Sequence, residues 1–383
     1  MKRRFRGCAA SLLFCFIGAV AARADAGPPG CPDLTQLQSA PDLRNEKAPE
    51  TLVADKLVAE AKAVTRSMSD VNLAKAMELY EQAIQVDPQN APAHIGLAGA
   101  HQSSQRYLGV KKDVALARAG QHLAKGRELA PANIDGLYLL ADQMFLVNRD
   151  YACTQRILDT ALRLDPGNAR THYWYSELLA GMGQFDLAFE HTGKALALAD
   201  ADTRDYVTRN IGRQRYMAGQ YDWVIDHYAN YLKAKPNFSL AHFYRSLAYG
   251  AKGEFDTALV EARKAMPDAP KGDAGGIGML ALAYANAGQQ AKAREVLQEL
   301  LDRDARGEHV VEYRIAAVFE VLGERDLALQ WLGKEIDDRG GVFSWMVWLN
   351  HDPVWTAMRK DPRFKGIQQR AGWASSIEKE NAR

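Results

Sequence analysis

The sequence predicts an all-α solenoid of about eight helix–turn–helix units, and three observations carry that prediction. The first is a spaced glycine: Gly183, Gly219, Gly253, Gly288 and Gly323 follow one another at steps of 36, 34, 35 and 35 residues. The second is a small residue five places after each, namely Ala188, Val224, Ala258, Ala293 and Ala328. The third is composition, in which good helix formers dominate and strand-like alternation is scarce. A fixed period in this range marks a stack of paired elements, each of which buries its apolar face only against its neighbours. Glycine suits the end of the first helix in each pair, and a small residue suits a place where two helices cross closely.

Taken in order, the chain opens on Lys2, Arg3, Arg4 and Arg6, an apolar run from Cys8 to Ala22, and small residues around Ala24-Asp25-Ala26. This is the three-part layout of a secretory signal, 1–26, with cleavage after Ala26; retained, it would instead be an anchor. The run of about 15 residues is shorter than a helix needs to span a bilayer. Residues 27–50, rich in Pro, Gly and polar side chains, read as a flexible tether. The solenoid then occupies 51–342, with units near 57–90, 91–133, 134–168, 169–202, 205–238, 239–272, 274–307 and 309–342. Asp87-Pro88, Asp165-Pro166, Pro236 and Pro270 close units, since proline cannot supply the amide that another helical turn would need. Gln102–Lys112 makes the second unit too long and reads as an inserted loop. From 343 to 383 the period fails, and Phe343, Trp345, Trp348, Trp355, Phe364 and Trp373 suggest a segment capping the exposed end of the array.

The formal charge is +1, from 48 Lys and Arg against 47 Asp and Glu. Loss of 1–26 removes five bases and one acid, leaving 43 against 46, or −3. Acids and bases are interspersed, so no polyanion-binding surface is indicated and no nucleic-acid partner is expected. Beyond the signal two cysteines remain, Cys31 and Cys153. They either pair in an oxidising compartment or stay apart, one as a small helix residue and the other as a tail thiol.

Motifs for catalysis are wanting. Gly276-Ile-Gly-Met-Leu-Ala has the spacing of a dinucleotide fingerprint, but no strand precedes it and it opens a helix in phase with the repeat. His94 and His101 share a helix face without a third ligand nearby in sequence, and read as surface histidines. No HExxH, paired CxxC, GxSxG or phosphate loop occurs. Neither an enzymatic activity nor a metal or cofactor is expected.

The run Gly323-Glu-Arg-Asp-Leu-Ala-Leu-Gln-Trp-Leu, with Asp352-Pro-Val-Trp-Thr-Ala-Met-Arg-Lys-Asp-Pro-Arg-Phe and Arg370-Ala-Gly, resembles one bacterial tail. That tail closes the tetratricopeptide (TPR) modules joined to winged-helix regulators, class III adenylate cyclases and Ser/Thr kinases. Ala74–Ala98 and Thr171–Ala262 are similar to those modules too. No effector domain precedes the repeats here, so only a binding module is implied. The resemblance implies a right-handed superhelix whose first helices line a concave groove. Its groove positions map onto Tyr138, Asp142, Phe145, Tyr173, Glu177, Arg209, Arg213, Tyr216 and Phe243, a row suited to a peptide or a partner's helix. Packing between repeats would explain the same row. The Lys and Asn set of the chaperone-tail carboxylate clamp is not reproduced. The expectation is an exported, non-catalytic scaffold for a protein or peptide, with no membrane span after signal cleavage. The alternative is an accessory of an envelope enzyme system that binds glycan or a small molecule.

Overall fold

Short repeated signals fix the helix ends. The side chains of Asn90, Asn133 and Asn168 accept the backbone N–H three residues on, each at 3.0 Å, and so cap the helices that follow the Pro88, Pro131 and Pro166 turns. At the other end of the first helices of the later units stands a residue in the left-handed region. Gly183, Gly219, Gly253, Gly288 and Gly323 have φ between 71° and 82°, which glycine adopts without a steric penalty.

The structure, a computed structural model, describes residues 31–35, 37, 48–65, 69–266, 274–308, 310–337 and 345–373. The architecture below is that of Asp33–Arg383. The signal 1–26, Phe343 and the Pro270 unit end lie outside the described residues.

Among the described residues eight helix pairs follow one another: α1 (Pro49–Val64) and α2 (Asp70–Val86); α3 (Ala91–Leu108) and α4 (Lys112–Leu129); α5 (Ile134–Asp142), prolonged by a π-helix at Gln143–Asn148, and α6 (Tyr151–Leu164). Next come α7 (Ala169–Gly181) with α8 (Phe185–Leu198), α9 (Ala201–Asn210) and α10 (Gly212–Met217) with α11 (Tyr221–Ala234), and α12 (Ser239–Ala251) with α13 (Phe255–Ala265). The array ends with α14 (Ala274–Asn286) and α15 (Gln290–Ala305), then α16 (Glu312–Val321) and α17 (Arg325–Asp337). No strand occurs among the described residues, and none of their helices is long and apolar enough to cross a membrane. Each helix packs on its partner and on the next unit, and first helices stand side by side along the inner face, as α12 does with α14 and α14 with α16. Ala188, Val224, Ala258, Ala293 and Ala328 are buried at the crossings. Close approach elsewhere relies on glycine: a Cβ on Gly212 would lie 2.2 Å from the Tyr228 ring.

Several boundaries differ from those the sequence suggests. The first pair begins at Pro49, so the unit placed at 57 starts mid-helix and the tether ends earlier. Part of that tether is docked: Leu34 is buried, and Arg163 on α6 donates to the Leu37 and Leu34 carbonyls at 2.8 and 3.4 Å. Gln102–Lys112 is not a loop; it lengthens α3 to Leu108, and Gly109 (φ 63°) turns the chain into α4. The fifth unit starts at Ala201, capped by Asp200, and not at 205. Cys153 is fully buried and disulfide-bonded, and Cys31 is disulfide-bonded as well, so neither is a free thiol.

The last segment departs most. After 3-10 turns at Met346–Trp348, Pro353–Trp355 and Met358–Lys360, α18 (Pro362–Gln368) runs into a π turn at Gln369–Trp373. These residues do more than cover α16 and α17. Trp348 meets Phe145 edge-on at 6.5 Å, His351 lies 5.3 Å from the Phe185 ring, and Trp373 stacks on Tyr151 at 4.3 Å. The tail therefore lines the inner face back to the third unit.

Candidate functional site

The row expected to line a groove divides into two parts. One faces the chain's own tail. Phe145 is 2 % exposed and lies in the π-helix, between Tyr151 and Trp348. Arg213 holds its guanidinium 5.1 Å from the Trp348 ring centre. Phe243 packs on Trp345 at 6.1 Å, with the Arg314 guanidinium 5.2 Å above its own ring. Tyr216 is buried beside a cavity bounded by Pro353, Val354 and Thr356 of the tail. These four positions therefore engage a segment already present, which corrects their reading as an open groove.

The other part is a wall built by α5, α7 and α9. Tyr138 on α5 meets Trp174 on α7 at 5.2 Å, and the Arg170 guanidinium covers the Tyr138 ring at 4.5 Å. Arg170 also lies 3.7 Å from Asp135, which Lys62 holds at 2.9 Å. Tyr173 is core, 1 % exposed, and carries Trp174 and Tyr206 edge-on at 5.8 and 5.5 Å. The Arg209 guanidinium sits 5.2 Å from the Tyr206 ring centre. Its carboxylate neighbour is Asp205, one turn earlier on α9, within electrostatic reach.

Glu177 is fully buried at the base of this wall. It pairs with Arg213 and accepts from Gln214 Nε2 at 2.7 Å; Gln214 also donates to Ser176 Oγ and accepts from Thr192 Oγ1. A buried carboxylate satisfied by a guanidinium and an amide is a packing device, so Glu177 is not presented to a ligand. Arg209 and Arg213 are four residues apart but lie on two helices, α9 and α10, and Glu177 answers Arg213 alone.

Asp142 stands apart. It is 7 % exposed, and no hydrogen bond to it occurs among the described residues. Burial pushes its carboxyl up to about 7, against the pull of Arg170 and Arg213. Trp174 Nε1 and Arg213 Nε are likewise buried without an acceptor. Sequence reasoning missed Arg170, Trp174 and Tyr206. The first two share the helix face of Tyr173 and Glu177 by their spacing, which was the available signal.

His94 and His101 are buried, not at the surface. His94 Nε2 meets the Pro88 carbonyl at 3.1 Å while Nδ1 faces His122 Nδ1 at 3.2 Å. The same device recurs at His172, with Pro166 and His191, and at His242, with Pro236 and Glu261. Each clamps a first helix to its own second helix and to the preceding turn. Among the described residues no group of three His, Cys, Asp or Glu is placed to hold a metal ion.

No protein-family model matches the chain, and no curated protein matches it. Solved structures do. The Cut9–Hcn1 hetero-tetramer of the APC/C is 17% identical over 83% of this chain and 55% of that one, with a TM-score of 0.50. Yeast Tom70 is 18% identical over 88% and 70%, with a TM-score of 0.46. YrrB, a TPR protein with an unusual peptide-binding site, is 18% identical over 66% and 96%, with a TM-score of 0.26. At such identities the likeness speaks to the fold: the chain is a TPR-type helical solenoid.

Proposed function

We propose that the chain is an exported, non-catalytic scaffold that holds a protein or peptide segment against the wall formed by α5, α7 and α9. The observation that supports this is Trp174 Nε1–H, buried there without an acceptor, beside the Tyr138 ring and close to the Arg209 guanidinium on Tyr206. Buried polar groups are costly without partners, so an incoming segment gains by supplying them. The tail illustrates the chemistry such a segment needs, since the neighbouring inner face takes an aromatic-bearing stretch of polypeptide.

The test is cross-linking of the mature chain in an envelope fraction, wild type against Arg209→Ala/Trp174→Ala. One protein captured by the wild type and lost by the variant, with melting unchanged, is the expected result. Equal capture by both overturns the wall as the site. Export rests on the layout of residues 1–26. N-terminal sequencing of the periplasmic protein should begin at Gly27, and intact Met1 in the membrane pellet would refute it. A second reading, an accessory of an envelope enzyme system that binds glycan or a small molecule, is favoured by the cavity beside Tyr216.

A further inference from the structure

The cavity between α12, α14 and the tail has a volume of about 370 Å³. Its origin lies in the repeat. Tyr216 stands three residues before Gly219, and the corresponding place in the next unit, three before Gly253, is Gly250. A Cβ on Gly250 would just touch Asn286 and Ala258, at 3.8 and 4.0 Å, so the missing side chain leaves room in the cavity wall where the preceding unit carries a tyrosine. Leu247, Met279, Leu282 and Val354 form apolar walls. The exposed Ala251 and Thr356 mark the mouth.

Two features restrict what fits. No Asp, Glu, Lys, Arg or His side chain lines the space, so a charged guest would lose its hydration without a counter-charge. Tyr216, only 4 % exposed, lines the cavity and has no hydrogen-bond partner among the described residues. The Asn286 side chain lines the space too, so the wall offers a guest polar partners as well as apolar surface. The volume falls in the range of small-molecule sites and suits about ten to fifteen non-hydrogen atoms.

We propose that this cavity binds a small, uncharged molecule with an apolar body and a polar group that meets the Tyr216 hydroxyl. The guest lies against Val354 and Pro353, so its binding holds the tail in place. The proposal deepens the small-molecule reading and is independent of the α5–α7–α9 wall.

The experiment is calorimetric titration of the full mature chain with 1-naphthol and, in parallel, with 1-naphthoate, each accompanied by thermal melting. Saturable one-to-one binding of 1-naphthol that raises the melting temperature is expected, with no binding of the anion. Gly250→Leu refills the space and should abolish binding at unchanged or higher melting temperature. Tyr216→Phe should weaken 1-naphthol roughly two- to tenfold, the effect of one hydrogen bond. Ala251→Trp plugs the mouth from an exposed position and should abolish binding even if the interior variant folds poorly. Absence of saturable binding to the wild type overturns the proposal. So does equal affinity for 1-naphthoate, or binding that survives both Gly250→Leu and Ala251→Trp.

Discussion

Arg209 and Arg213 are the same residue type, one helical turn apart, and answer to different neighbours. Arg213 reaches down to Glu177, which has no exposure at all, and lies against Trp348. Arg209 rests on the Tyr206 ring near the surface. Removing one member of a buried pair strands the other, whereas a half-exposed cation on a ring contributes little. Glu177→Ala should therefore destabilise the fold by about 3–5 kcal/mol, because it leaves Arg213 and Gln214 without their acceptor. Arg209→Ala should stay within about 0.5 kcal/mol. Urea unfolding of the two variants distinguishes them, and a small effect of Glu177→Ala would mean that water replaces it and that the pair belongs to an open site.

Among the elements, legibility followed the range of the interaction. The Gly253 and Ala258 positions were readable because each satisfies a requirement of a single turn or crossing, repeated in every unit. Ala258→Glu, which overpacks such a crossing and buries an unpaired charge, should cost about 3 kcal/mol or more, read from thermal unfolding by circular dichroism. The third unit hid its turn, because the left-handed position is held by Arg149 (φ 55°) where units two and four to eight have glycine. Its cause is the tail: a Cβ on Gly372 would lie 2.7 Å from the Arg149 carbonyl, and Tyr151 donates to the Ala371 carbonyl at 3.2 Å. Nothing local in the sequence records contacts between residues 151 and 371. For the same reason the aromatic tail reads from sequence as an end cap, and four residues that pack on it read as groove positions for a peptide or as packing between repeats. Trp355 measures how firmly that tail is held: it is fully buried and donates to Tyr313 Oη at 2.7 Å. Trp355→Ala should cost about 3–5 kcal/mol of stability. It should also open the Trp348–Phe145 contact, seen as faster hydrogen exchange in residues 143–151. A tail that loosens without affecting those residues would show that it folds apart from the inner face.

At the scale of the molecule, buried ionisable groups of both kinds set the pH at which the solenoid is most stable. Burial holds His101 down to about 4, with His122 and Arg118 adding to it, and holds His351 down to about 4, with Arg359 adding to it. His122, His191 and His227 shift the same way, mainly through burial. A histidine depressed in the folded state contributes stability that is present above its ordinary value near 6.5 and is lost as pH falls toward about 4. The carboxyls act in the opposite sense. Burial, reinforced by Glu335, raises Glu312 to about 8, and burial raises Asp142 to about 7. Their contribution is complete below the ordinary carboxyl range and is lost as pH rises through about 7 and about 8. Glu312 and Glu335 belong to α16 and α17, and Lys112 at the start of α4 lies within electrostatic reach of Glu312, so this pair also joins the second unit to the eighth. More histidines than carboxyls titrate between about 4.5 and 6.5, so stability should fall on both sides of a maximum near pH 6.5. Melting temperature measured from pH 4 to 9 should trace that shape. Glu312→Gln should flatten the alkaline side and steepen the rise between about 4.5 and 6.5, while His101→Gln should flatten the acid side. A profile that rises steadily to pH 9, or a Glu312→Gln variant with an unchanged alkaline limb, would show that the Glu312 carboxyl is ionised in the folded chain.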